Sequence, residues 1–181
     1  FPPPPDRDAV CEYSARVLYA RDHEYNVKGA EFDGAAEYQW FDFQPAARII
    51  HMLHALWFLR DSDLFSDDEM EELGEMLYQH GRNLFLTEKY YAKPARGNHQ
   101  AVRALALLHV CGALRHLPEV AGEWLPVAES LCEFHILTDF LQDGMLYDLS
   151  PSYHFFESWI TRDMIALADR YGFRLSPEAR E

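Results

Sequence analysis

The stretch NHQAVRALALLHVCGALRH, residues 98–116, governs how the rest of the chain is read. Val102, Leu105, Ala106, Leu107, Leu108 and Val110 cover nearly the whole circumference of a helix and leave no broad polar face. Such a helix is an inner element, enclosed by others. The polar residues gather at its start, in Gly97-Asn98-His99-Gln100.

Five more helical segments and no convincing strand surround it. The first covers residues 8–20, with Asp6 or Asp8 near its N-cap after a run of prolines. The second covers 45–59. Pro45 suits a first helical position, and Ile49, Ile50, Leu53, Leu56 and Trp57 predict a well-buried helix. The third opens on Ser66-Asp67-Asp68-Glu69, a capping box, and Met70, Leu73, Leu77 and Leu84 mark one face. The fifth covers 123–141, with Trp124, Val127, Leu131, Phe134 and Leu137 on it. The sixth runs over 151–171 and stops at Gly172.

Connections are short except at 21–44 and 85–97. The former holds Tyr25, Phe32, Tyr38, Trp40, Phe41 and Phe43, and reads as a binding loop or a further helix. No internal repeat is visible. The expected fold is all-α, built from antiparallel helical hairpins packed side by side, as in an incomplete α/α toroid or a compact bundle. Residues 1–7 read as a Pro-rich linker, or as the start of a processed or truncated protein because no Met opens it. Residues 8–181 form the helical domain.

Composition narrows the function classes. The chain has 181 residues, enough for one domain with a substantial core. Its 14% aromatic content suits either that core or flat sugar-binding faces. A net charge of −14 argues against nucleic-acid binding. An anionic ligand would need a local basic patch, which can act because screening confines charges to about 8–10 Å. Arg48, Arg82, Lys89, Lys93 and Arg96 are its candidates. Cys11, Cys111 and Cys132 form no CxxC pair, so no disulfide framework or zinc ribbon is implied. His51 and His54 lie one turn apart, but spacing fixes no third ligand, and neither a metal nor a cofactor is expected. No apolar run is long enough to span a membrane, so no membrane partner is expected.

Two segments concentrate chemistry-bearing residues: Gly97-Asn98-His99-Gln100, and the run DGMLYDLSPSYH at 143–154. Each has an ordinary structural explanation. Asn98 makes a good N-cap, Asp143-Gly144 a turn, and Ser150-Pro151 an N-cap and first-turn pair. Together they place proton-transferring side chains at two helix N-termini, where free N–H groups attract anions.

The second run resembles the heparinase II/III N-terminal family, whose members carry DG-x-x-Y-E-x-S-P-x-Y-H. This chain matches at Asp143, Gly144, Tyr147, Ser150, Pro151, Tyr153 and His154, and departs at Asp148, where Glu is usual. Asn98-His99 is similar to the family's Asn-centred motif on the preceding inner helix, and the stretch from Trp40 to Arg48 is similar to the family's start. The likeness spans roughly residues 30–175. It implies β-elimination of a uronic-acid polysaccharide, heparan- or alginate-like, by a periplasmic or secreted lyase. It also implies a following β-sandwich that completes the cleft, so this chain alone is expected to be weak or inactive. Asn98, His99 and Tyr153 would then be catalytic. Tyr147, His154, Arg96, Arg48 and Trp40 would bind the anionic polysaccharide. Two rivals stand beside this reading. A toroidal glycoside hydrolase would need two of Asp143, Asp148 and Glu157 flanking a cleft. A non-catalytic sugar-binding or scaffold module would lack the Asn–His–Tyr cluster.

Overall fold

The computed structural model describes residues 42–60, 62 and 64–180. The expected helix at 8–20, Trp40 and most of the aromatic connection lie outside them. Among the described residues the fold is all-α: α1 (Gln44–Leu59), α2 (Asp67–Leu86), α3 (Asn98–Ala113), α4 (Leu125–Thr138), α5 (Pro151–Tyr171) and the short α6 (Pro177–Arg180). An isolated antiparallel bridge joins Phe140 to Leu146.

The helix at 98–113 is the hub. α3 packs against α1, α2, α4 and α5. Ala101, Ala104, Leu105, Ala106, Leu107 and Val110 are completely buried. Ile49 of α1, Leu84 of α2, Ala128 and Cys132 of α4, and Ile160 and Met164 of α5 close around it in one core. Close approach is built in at Gly81. A Cβ there would lie 2.6 Å from Val110 Cγ1 and 2.9 Å from the Trp124 ring, so α2 can sit this near α3 only without a side chain at that point.

Most helix boundaries follow the sequence signals. Ser66 and Glu69 form the capping box: the Ser66 N–H donates to Glu69 Oε2 (2.8 Å) and the Glu69 N–H to Ser66 Oγ (3.3 Å). Gly172 ends α5 in the left-handed conformation, φ 72°. Four expectations need correction. Pro45 is the second helical residue rather than the first. Trp57, Met70 and Leu137 are about half exposed, because a three-to-four spacing selects a face but not how far a neighbour runs along it. The expected connection at 85–97 is largely helical: α2 continues to Leu86 and then as a wide π turn through Tyr91, with Ala92 N–H reaching Thr87 O at 2.8 Å. The fifth segment begins early, in a second π turn at Val120–Trp124. That wide turn lies just before Pro126, which has no N–H to give.

Two imidazoles, His80 buried and His109 half-buried, make the core acid-sensitive. His80 gives its Nδ1–H to Met76 O (2.7 Å) and accepts from Arg48 Nε (3.1 Å), an arrangement only the neutral ring supports. Burial and then Arg48 lower its pKa to about 4. Burial and then His54 do the same to His109. Both folded values lie below the ordinary 6.5. Their contribution is therefore complete above that pH and is lost as pH falls towards 4. Urea titrations at stepped pH are expected to show this decline, with a shallower slope in His109→Leu. Leu105→Ala is expected to cost about 2–5 kcal/mol at neutral pH, read from the urea midpoint.

Candidate active site

The polar start of α3 is set by Gly97. Its φ of 142° is a conformation L side chains rarely adopt, and it makes Gly97, not Asn98, the N-cap. Asn98 is thus the first helical residue. It is half-buried, and its amide has no hydrogen-bond partner among the described residues. It stands beside the unpaired N–H groups of the first turn. His99 follows, with its ring exposed. Its edge meets Phe43 at 4.9 Å between centroids, and its Nδ1 pairs with Asp42 Oδ2. With Asp42 accepting from Nδ1–H, Nε2 is left as the free acceptor.

Asp42 is itself held. It sits at φ 56°, a left-handed position costing about 1–2 kcal/mol for a non-glycine residue. Arg103 Nη1 donates to its other oxygen at 2.5 Å. Arg103 Nε donates to Glu88 Oε1 (2.5 Å), and Gln100 Nε2 to Glu88 Oε2 (2.6 Å). Gln100 Oε1 accepts from Ala95 N–H (2.8 Å). The loop leading to Gly97 is tied to the same network. Asp42, Glu88 and Arg103 were absent from the sequence-level candidates. The available signal was Arg103 itself, a cation inside an otherwise apolar buried helix, which demands a partner.

The second segment is a tightly bonded turn. Asp143 Oδ1 accepts from Met145 N–H (3.0 Å) and Asp148 Oδ1 from Ser150 N–H (2.9 Å). The carboxylate at the position where the family usually has Glu therefore shapes the turn. Ser150 is the N-cap of α5 by position, without a side-chain capping bond. Leu149 takes φ 58°. His154 Nδ1 accepts from Leu146 N–H (3.2 Å) and its ring meets the edge of Phe140, so it clamps the turn to α5.

Tyr147 joins the two segments. Its hydroxyl donates to Arg96 O (3.4 Å), the Arg96 guanidinium lies 5.7 Å from its ring centroid, and a Cβ on Gly97 would be 3.7 Å from its oxygen. Tyr153 stands half-exposed on the first turn of α5, one residue from the His154 clamp. Asn98, His99, Arg96 and Tyr147 thus share the N-terminal end of α3, and Tyr153 projects from the helix packed beside it. Arg48 instead faces His80 between α1 and α2. Lys89 is paired with Glu123 at 3.2 Å. No group of three metal-ligating side chains occurs among the described residues.

Buried ionisable groups lie under the turn. His135 Nδ1 bonds Asp139 Oδ2 at 2.6 Å, and both residues are 1% exposed. Asp139 backbone O accepts from Tyr147 N–H (2.9 Å). Glu157, also 1% exposed, has its pKa raised to about 7 by burial, then by Asp139 and Asp148. Burial, then the same acids and Glu157, push the Tyr147 phenol up despite Arg96, so it remains a donor at neutral pH.

Residues 19–176 match the family model described as Heparinase II/III N-terminus. No curated protein and no solved structure matches the chain.

The raised value for Glu157 fixes the sign of its effect. Stability is greatest where Glu157 is protonated in both states, below the ordinary 4.5, and is lost as pH rises through about 7. Glu157→Gln is expected to match the wild type near pH 4.5 and to melt several degrees higher at pH 8, measured by thermal unfolding at both pH values.

Proposed function

The chain belongs to the heparinase II/III N-terminal family, and on that premise we propose that it is the helical part of a polysaccharide lyase that cleaves a uronic-acid polysaccharide by β-elimination. The observation that carries this reading is the convergence of Asn98, His99, Arg96 and Tyr147 on one helix N-terminus, with Tyr153 on the adjoining helix. We read the helices as part of an incomplete α/α toroid, with a β-sandwich completing the cleft and the protein acting outside the cytoplasm.

The chemistry explains why these groups serve together. A uronate C5 proton is weakly acidic until charge on the neighbouring carboxylate is offset. The Asn98 amide, Arg96 and the first-turn N–H groups are donors suited to that task. Lys93 and Arg96 are exposed on the loop into Gly97, and are the cations that an anionic sugar chain would meet at this end of α3 despite the acidic total. A base removes the C5 proton, the C–H electrons form the C4–C5 double bond, and the C4–O4 bond breaks with O4 taking a proton. His99 Nε2 and the Tyr153 hydroxyl are the base and acid of this scheme.

Hydrolysis has less support. It needs paired carboxylates flanking an open cleft. Asp143 and Asp148 are engaged in turn bonds, and Glu157 is buried.

The test is release of unsaturated product, followed by ultraviolet absorbance, from heparan sulfate, alginate and chondroitin sulfate by the full-length protein. One of these is expected to be cleaved. Asn98→Ala is expected to lower kcat/KM by about 10²–10³-fold and Tyr153→Phe by about 10²–10⁴-fold. New reducing ends without the absorbance would establish hydrolysis and overturn the reading.

A further inference from the structure

We propose that Arg103 is a positioning residue, which fixes the orientation and tautomer of His99 through Asp42 and locks the loop carrying Arg96 to the same frame. The inference rests on the reading of His99 as an acid–base group. The geometry that supports it is a continuous path from a buried charge to an exposed imidazole. The Glu88 side chain is fully buried and Arg103 is 12% exposed, while the Asp42 carboxylate is 20% and the His99 ring 58% exposed. Buried and exposed ends are joined without a gap: Glu88 holds Arg103 Nε, Arg103 Nη1 holds Asp42 Oδ1, and Asp42 Oδ2 holds His99 Nδ1.

Each link constrains the next for a physical reason. The guanidinium is a rigid planar fork, so fixing Nε on Glu88 also fixes where Nη1 points. Asp42 has two oxygens, and one taken by Arg103 leaves the other facing His99. An acceptor at Nδ1 selects the neutral tautomer that carries its proton there, with Nε2 bare towards solvent. Glu88 also takes Gln100 Nε2, and Gln100 bonds Ala95 N–H and Lys93 O in the loop before Gly97. A network with only a scaffolding role has no need to end on an exposed imidazole. This one ends there, and its other branch ends on the loop that presents Arg96.

The tautomer gives a direct measurement that needs no substrate. Nitrogen-15 NMR of the full chain, at a pH where His99 is neutral, is expected to show the Nδ1–H form in the wild type. Arg103→Gln is expected to release Asp42 and shift His99 to the Nε2–H form. Arg103→Lys keeps the charge but loses the fork, so it is expected to shift the tautomer too, and it decides the question alone if Arg103→Gln does not fold. An unchanged tautomer in the folded variants overturns the proposal.

Turnover then separates this proposal from the one it rests on. Arg103→Gln is expected to lower kcat at least tenfold in the wild-type background and to have no further effect in His99→Ala. If His99→Ala keeps full activity, the acid–base reading fails while the tautomer result stands. If His99→Ala is inactive and Arg103→Gln keeps both tautomer and rate, the positioning proposal fails alone.

Discussion

A helix enclosed by neighbours on every side has little room along its length for a polar side chain, and this constraint organises the molecule. α3 is enclosed by four neighbours, and its middle is alanine, leucine and valine. His109 apart, its polar residues are confined to the first turn and a half: Asn98, His99, Gln100 and Arg103. The same enclosure makes that end rigid, because α3 cannot shift without disturbing contacts with α1, α2, α4 and α5. A site built there inherits its precision from the core.

The enclosure also explains the ionic network. Arg103 points away from water, and an unpaired buried cation is strongly destabilising, of the order of 3–5 kcal/mol. Two carboxylates, Asp42 and Glu88, answer it from opposite sides. Glu88 arrives by way of the π turn that extends α2, and Asp42 by way of a left-handed backbone position before α1. Both are locally costly conformations, of the kind that persists where surrounding structure over-determines it. The turn at Asp148–Ser150 has a third such feature in Leu149, on the segment that carries Tyr147.

Local signals in the sequence carried most of the fold. The apolar circumference of α3, the Ser66–Glu69 box, and the Gly172 stop each depend on neighbours within a few residues, and each appears where the pattern puts it. The π turns were not legible, because no periodicity marks an extra residue in a helical turn. The site was legible by halves. Asn98, His99 and the 143–154 run are local motifs, and their meeting at Tyr147 depends on packing between segments about 50 residues apart. Asp42 was invisible for the same reason: it lies 57 residues from His99, at the end of a connection without apolar rhythm. Arg103 was the overlooked clue, since its position four residues after His99 puts both on one face of α3.

The π turn at Thr87–Tyr91 has a consequence for how this family member can vary. An α-helix advances about 100° per residue, so one extra residue spliced into α2 would rotate everything after it away from α3. A wide turn absorbs such a residue within a single loop of backbone and leaves the register on either side intact. Leu73, Leu77 and Leu84 keep their stripe against the core, while Glu88 swings in to meet Arg103 and Gln100. The turn acts as a phase adjuster: it uncouples the length of the helix from the address at which its last carboxylate is delivered.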